Sequence, residues 1–261
     1  MPVATPPTIL VLDFDGVLCD GMREYFRAAW TAYCQIWHSQ TRTPPDDLEG
    51  SFARVRPAIE IGWEMPVAIH SLLEGVSEEK ILQNGQVLAR DVLDKEGLDP
   101  AEIGAWVDSV RDDWIASDLP GWLEMHRFYP GVVERLTRTI AAGVGVTIAT
   151  TKEGRFVRHL LQQQGIFLPE NAIFGKEYHR PKHETLRQLL ANADSEAVLW
   201  FVEDRLKTLQ SIQQQPDLGA VKLYLADWGY NTETEREAAR SDSGIKLISL
   251  SQFGLDFAQW P

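Results

Sequence analysis

Cysteine is scarce in this chain of 261 residues, which contains two, Cys19 and Cys34. Two cysteines without metal-type spacing exclude a disulfide framework and a cysteine-rich zinc site. We interpret Cys19 as a small buried thiol. A low number of cysteines is typical of proteins in a reducing compartment, so we expect a cytoplasmic protein. Residues 1–7 contain no basic region followed by an apolar one, so no secretory signal is predicted.

Long apolar runs and basic runs are also lacking. No segment approaches the roughly 18 consecutive apolar residues of a membrane span. The formal net charge is −13, with 38 acidic residues against 25 lysines and arginines. Such a charge repels nucleic acid and anionic membranes, so we expect neither as a partner. The composition is that of a soluble globular protein with room for one large domain or two modest ones.

The pattern of the chain changes near residue 127. Between residues 21 and 126 we find no convincing strand, and helical spacing is predicted at 22–37, 48–59, 66–73, 81–93 and 99–117. Outside that segment, apolar runs occur at 9–14, 144–149, 172–174, 197–202, 220–225 and, at an edge, 246–248. Helical segments alternate with them at 132–142, 153–164, 183–191 and from 206 onward.

Strands alternating with helices favour an α/β fold with a doubly wound parallel sheet. We therefore predict a core made of residues 1–20 and 127–261. Residues 21–126 are predicted to form an inserted all-helical domain, with hinges at 19–21 and 128–131.

Polar side chains follow the apolar runs of the core. Asp13 and Asp15 come at the end of the first run, directly before Gly16. The second run ends at Thr150-Thr151-Lys152, and the fourth at Glu203-Asp204. In an open α/β sheet the ligand site lies beyond the carboxyl ends of the strands, so these groups converge on one edge.

The order of these motifs resembles the haloacid dehalogenase superfamily, in which most members are phosphatases. The matching features are an Asp-x-Asp, a Thr, a later Lys and an acidic pair, here Asp13 and Asp15, Thr150, Lys182, and Glu203 with Asp204. The resemblance implies a Rossmann-like core with a helical cap of the C1 type. It also implies a Mg²⁺-dependent phosphatase that hydrolyses a small phosphorylated metabolite through an aspartyl-phosphate.

The resemblance implies a role for each catalytic residue. Asp13 would attack phosphorus, and Asp15 would protonate the leaving oxygen and later activate water. Thr150 would bind a phosphoryl oxygen, and Lys182 would supply positive charge to the phosphate and to Asp13. Thr151 is assigned to substrate binding. Lys152 and Lys176 are rivals for the position of Lys182, and a helix N-cap is the alternative role of Thr150.

The metal ligands implied by the resemblance are Asp13, the backbone carbonyl of Asp15, and Asp204. Mg²⁺ takes few protein oxygens and keeps several waters. Many relatives have Gly or Ser before the last of these and a second acid four residues later. Here those positions hold Glu203 and Thr208. Glu203 is therefore our candidate to replace the later acid, with helix or turn capping as its alternative role.

The substrate contacts of the helical insertion are the least defined part of this interpretation. Arg54 and Arg56 are our candidates for them, and a solvated helix face is the alternative. A second acid argues against the dehalogenase branch, which uses only the first carboxylate and no metal. A sugar phosphomutase of the same superfamily and a catalytically weak binding or regulatory protein stay open as alternatives.

Overall fold

The computed structural model describes residues 5–261, so the first four residues of the leading segment lie outside the described residues. Two compact units are present, one containing the chain up to Asp20 together with Arg127–Pro261, the other Gly21–His126. No helix within residues 5–261 is long and apolar enough to cross a bilayer.

The strands are β1 Ile9–Leu12, β2 Cys19–Asp20, β3 Arg127–Phe128, β4 Gly145–Ala149, β5 Ile173–Phe174, β6 Leu199–Glu203, β7 Lys222–Ala226 and β8 Ile245–Ile248. The helices are α1 Met22–Ile36, α2 Leu48–Val55, α3 Glu64–Leu73, α4 Glu78–Glu96, α5 Pro100–Leu123, α6 Val132–Ala141, α7 Gly154–Gln163, α8 Lys182–Ala191, α9 Leu206–Gln213, α10 Glu233–Ser241 and α11 Leu250–Phe253.

In the described part of the chain, six strands form one parallel sheet in the order β5-β4-β1-β6-β7-β8. The central strand β1 has three fully buried side chains, Leu10, Val11 and Leu12. The chain passes from β1 to β4 and β5 on one side, and then to β6, β7 and β8 on the other. The winding therefore reverses at β1, and the crevice beside the carboxyl end of β1 is the expected ligand position. The predicted doubly wound α/β sheet is confirmed.

Two strands begin two residues later than their apolar runs. β6 and β7 start at residues 199 and 222, whereas the runs start at 197 and 220. The N–H of Ala197 closes a turn onto the carbonyl of Asp194, and the N–H of Val221 closes one onto Leu218, both at 2.9 Å. Hydrophobicity alone does not separate the end of such a turn from the start of a strand.

The segments predicted as hinges pair as a short antiparallel ribbon. Cys19 lies opposite Phe128 and Asp20 opposite Arg127. The N–H of Tyr129 continues this pairing by donating to the carbonyl of Leu18 at 3.0 Å. Strands of two residues have no readable periodicity, so sequence analysis missed β2 and β3.

The unit of residues 21–126 is all-helical, as predicted. The prediction ended its helix α5 at residue 117, whereas the helix continues beyond that residue. Asp118 interrupts the helical backbone, and its side chain caps the segment that follows. Asp118 has φ −153° and ψ 67°, and its Oδ1 accepts the N–H of Gly121 at 2.9 Å. Asp99 is the N-cap of α5, since its carboxylate accepts the N–H of Ala101 at 2.7 Å.

A buried ion pair joins the first and last helices of this unit. Glu24 is 1% exposed, and its two oxygens accept from Arg111 Nε at 2.7 Å and Nη2 at 3.1 Å. Trp122 Nε1 donates to the same carboxylate at 3.3 Å. Removing one partner of such a pair leaves an uncompensated buried charge, so the pair constrains how α1 and α5 pack. No local pattern connects residues 24 and 111.

An aromatic cluster attaches the last described residues to the sheet. The Trp260 ring lies 5.2 Å from Tyr224, 5.5 Å from Trp200 and 5.4 Å from Phe253, measured between ring centroids. Trp200 and Tyr224 belong to β6 and β7. Aromatic side chains of this size dominate core energetics, so this contact holds the C-terminal segment against the sheet.

We expect Trp260→Ala to lower the free energy of unfolding by about 3–5 kcal/mol, because it leaves a large cavity in a buried aromatic cluster. Leu255→Ala is the matched control in the same segment, since Leu255 is 42% exposed and should change stability by less than about 0.5 kcal/mol. Urea unfolding followed by circular dichroism measures both. Equal losses in the two variants would contradict this interpretation.

Candidate active site

The polar groups that follow the strands lie at the carboxyl edge of the sheet. The N–H of Asp13, just after β1, donates to the carbonyl of Val202 in β6 at 2.9 Å. The N–H of Thr150, just after β4, donates to Phe174 in β5 at the same distance. Glu203 is the last residue of β6 and is fully buried. The sheet itself therefore fixes the backbone of each residue.

Lys182 joins the acids of β1 and β6. Its Nζ lies 2.6 Å from Asp13 Oδ1 and 2.6 Å from Glu203 Oε2. The second oxygen of Glu203 accepts the N–H groups of Asp204 and Arg205, both at 3.1 Å. Glu203 thus caps the turn after β6 and holds the lysine at the same time. Charge-assisted hydrogen bonds of this length are the strong ones.

The two rival lysines lie elsewhere. Lys152 Nζ is 3.2 Å and 3.3 Å from the two carboxylate oxygens of Asp15. The side chain of Lys176 is exposed, and its backbone N–H donates to the carbonyl of Lys152 at 2.9 Å. Lys182 is therefore the lysine that contacts Asp13. The catalytic role assigned to Lys182 stays a prediction.

Asp13, Glu203 and Asp204 form what we call the acidic cluster. One oxygen of each lies within 4.8 Å of the others, and all three residues are buried. Burial raises the pKa of Asp13 to about 7, opposed by Lys182 and reinforced by Glu203. Burial, followed by repulsion from Glu203 and Asp13, raises the pKa of Asp204 well above its usual value. Keeping all three carboxylates ionised therefore costs free energy.

Lys182 lowers this free-energy cost but does not cancel it. Burial alone would lower the pKa of Lys182, but Asp13 and Glu203 outweigh burial and raise that pKa overall. Lys182 contacts two of the three carboxylates, and Arg205 offsets the raised pKa of Asp204 only in part, so the ionised cluster keeps an excess of negative charge. A donor set of carboxylate oxygens with excess negative charge suits a hard divalent cation such as Mg²⁺. Thr208 occupies the position at which many relatives have a second acid, and Glu203 supplies the third carboxylate of the cluster.

The loop after β7 forms a slot around Asp204. The N–H of Tyr230 donates to Asp204 Oδ2 at 2.7 Å, and Asn231 Nδ2 donates to the carbonyl of Asp204 at 2.9 Å. A Cβ at Gly229 would lie 2.2 Å from the Cβ of Asp204, and one at Gly16 would lie 2.1 Å from Oδ2. Only glycine fits at these two positions.

Sequence analysis missed this loop because its residues carry no charged motif. The available signal was a glycine between Trp228 and Tyr230 immediately after a strand, where a close backbone approach is common. Trp228 Nε1 also donates to the carbonyl of Val17 at 3.1 Å, so the loop contacts the segment that follows β1.

Thr150 does not cap the following helix, so that alternative is wrong. Its Oγ1 accepts the N–H of Lys152 at 3.1 Å, whereas the N–H of Gly154, the first residue of α7, donates to Glu177 at 3.0 Å. Thr150 is buried at the sheet edge, and Thr151 beside it is exposed. The substrate contacts predicted for both threonines stay predictions.

The two candidate arginines of the helical unit differ in their contacts. Arg54 is held by two acids, with Nε at 2.7 Å from Glu78 and Nη2 at 3.1 Å from Asp47. The Arg56 guanidinium lies 4.9 Å from the centroid of the Tyr25 ring, and its Nη1 donates to a backbone carbonyl at 2.9 Å. Both remain candidates for substrate binding, and the carboxylates around Arg54 neutralise its charge locally.

No model of a protein family matches this sequence, and no curated protein matches it. Solved structures do. A candidate phosphatase from Clostridium acetobutylicum superposes with a TM-score of 0.59 at 13% identity, covering 96% of this chain and 97% of the other. A haloacid dehalogenase-like family hydrolase from Streptococcus pneumoniae superposes with a TM-score of 0.55 at 13% identity, covering 93% and 94%.

A protein tyrosine kinase from Mycobacterium tuberculosis is also similar, with a TM-score of 0.55, 17% identity and 94% coverage of each chain. Proteins described as phosphatase, hydrolase and kinase thus share this architecture at low identity. Because folds of this kind host several activities, the function has to be argued from the site. The chain has the haloacid dehalogenase-like α/β fold.

We expect Lys182→Met to lower the free energy of unfolding of metal-free protein by about 3–5 kcal/mol, because it leaves buried carboxylates uncompensated. Asp204→Asn should instead raise it, because it removes one of the repelling acids. Lys176→Met, at an exposed lysine, should change it by less than about 0.5 kcal/mol. Urea unfolding in the presence of a chelator measures all three. A loss in Asp204→Asn as large as in Lys182→Met would refute the excess-charge interpretation.

Proposed function

We propose that this protein is a Mg²⁺-dependent phosphatase of the haloacid dehalogenase superfamily, acting on a small phosphomonoester through phospho-Asp13. The observation that carries the proposal is the buried acidic cluster at the switch point of the sheet, with Lys182 2.6 Å from Asp13. A nucleophilic carboxylate beside a fixed ammonium and further metal-type acids suits attack on a phosphoryl group. The likeness of the fold to candidate phosphatases supports the same reaction class.

In the first step, a carboxylate oxygen of Asp13 attacks phosphorus and the ester P–O bond breaks. Asp15 gives its proton to the leaving oxygen, which departs as an alcohol. Lys182 and Thr150 offset negative charge on the phosphoryl oxygens, as the resemblance implies. Asp13 is esterified to phosphate and Asp15 is ionised when this step ends.

In the second step, water attacks the same phosphorus atom. Asp15 takes a proton from that water, and the bond between phosphorus and Asp13 breaks, releasing inorganic phosphate. Both aspartates return to their starting states. The two carboxylates suit these separate tasks because they have separate lysine partners, Lys182 at 2.6 Å and Lys152 at 3.2 Å.

The acidic cluster together with the backbone carbonyl of Asp15 would hold Mg²⁺. When bound, the cation neutralises phosphate charge, so that an anionic nucleophile can approach phosphorus. Glu203 already contacts Lys182 through one oxygen and two backbone N–H groups through the other. It therefore serves the cluster as a charge partner of the lysine as well as a candidate ligand.

The test is phosphate release from p-nitrophenyl phosphate and a panel of small phosphomonoesters, with and without Mg²⁺. Asp13→Asn should lower kcat by at least about 10³-fold, because it removes the nucleophile. Asp227→Asn is the matched control, since Asp227 also follows a strand of the sheet but lies outside the acidic cluster. It should retain nearly full activity.

The outcome also separates the alternatives. Turnover that requires a sugar bisphosphate and releases little phosphate would identify a phosphomutase. No release from any ester by folded protein with Mg²⁺ present would refute the phosphatase proposal and favour a binding role.

We further propose that Arg56 contributes to substrate binding. Arg56→Gln should raise KM by about tenfold or more and change kcat less, as expected for loss of a charge-assisted hydrogen bond. Arg54→Gln should raise KM less, because Glu78 and Asp47 already neutralise that side chain. Steady-state kinetics on the best ester of the panel measure both. An unchanged KM in Arg56→Gln would contradict the assignment.

A further inference from the structure

Lys152 is a second lysine fixed at the site. Its Nζ lies 3.3 Å from Asp15 Oδ1 and 3.2 Å from Oδ2, so it contacts both oxygens of that carboxylate. The two side chains are 9% and 16% exposed. Exposed pairs of flexible side chains contribute little, whereas a largely buried pair holds its geometry. This contact is therefore not an ordinary surface salt bridge.

The backbone around Lys152 is fixed on both sides. Its N–H donates to Thr150 Oγ1 at 3.1 Å, and its carbonyl accepts the N–H of Lys176 at 2.9 Å. A Cβ at Gly175 would lie 2.7 Å from that carbonyl oxygen, so the two loops meet with no room for a side chain. The backbone of the loop is thus held in place where the Lys152 side chain reaches Asp15.

We propose that Lys152 is a positioning residue for Asp15, and this inference rests on the proposed phosphatase reaction. A lysine ammonium has donors only and cannot accept a hydrogen bond. Because the ammonium group contacts both oxygens, it holds the position and the plane of the Asp15 carboxyl group. The contact thus keeps the Asp15 carboxyl group in place while it donates its proton and the ester P–O bond breaks.

Lys182 cannot take over this task. Its ammonium group already contacts Asp13 and Glu203, both at 2.6 Å. A different lysine therefore contacts each catalytic aspartate of the proposed reaction, and the two lysines lie in different segments of the core. The consequence is that the two lysines should have different kinetic signatures.

The experiment compares kcat/KM for p-nitrophenyl phosphate and phenyl phosphate. Their shapes are similar, but p-nitrophenolate leaves easily, whereas phenolate needs protonation. Because kcat/KM covers only the steps up to loss of the phenol, it isolates proton donation from the later hydrolysis. Lys152→Met should lower kcat/KM on phenyl phosphate about tenfold more than on p-nitrophenyl phosphate, the signature of impaired general-acid catalysis. Lys152→Arg should restore most of the difference.

The control is Lys176→Met, which removes the neighbouring exposed lysine and should leave the ratio of the two substrates unchanged. Equal loss on both substrates in Lys152→Met, or no loss on either, would overturn the inference, because a phosphate-binding or structural role does not depend on the leaving group. Failure of the wild type to hydrolyse either ester would refute the proposed function instead. The two failures are therefore distinguishable.

Discussion

The buried contact of Lys182 with Asp13 and Glu203 is the interaction on which the rest of the site depends. It joins the carboxyl ends of β1 and β6 to the start of α8 through two bonds of 2.6 Å. Without it, Asp13 and Glu203 would lose the ammonium group that contacts both of them in a buried space. The sheet positions the backbones of these acids at its switch point. The ammonium group of Lys182 reduces the repulsion between their carboxylates.

The site divides its charges between two loops. Lys182 lies at the start of α8, the helix that follows β5, and Lys152 lies in the loop that follows β4. The resemblance of the motifs assigns attack to Asp13 and proton transfer to Asp15, and the two lysine contacts agree with that division. The fold alone does not decide the reaction, because similar architecture occurs in proteins described as phosphatases and as a kinase.

Sequence reasoning predicted the parallel sheet and the edge where its polar groups meet, because strands buried on both faces read as continuous apolar runs. It could not predict which lysine contacts which aspartate. Nor could it find the Glu24–Arg111 pair, since that choice depends on contacts between residues distant in sequence. One readable signal was left unused: Thr232 and Glu235 form the capping box that starts α10.

The glycine slot around Asp204 has a consequence for how the cluster responds to ions. Gly16 and Gly229 approach Asp204 so closely that neither position has room for a side chain. A positive species bound at the cluster would relieve the repulsion among its three carboxylates. Since burial raises the pKa of Asp13 to about 7, a divalent cation bound at this cluster would compete with protonation of Asp13 near neutral pH.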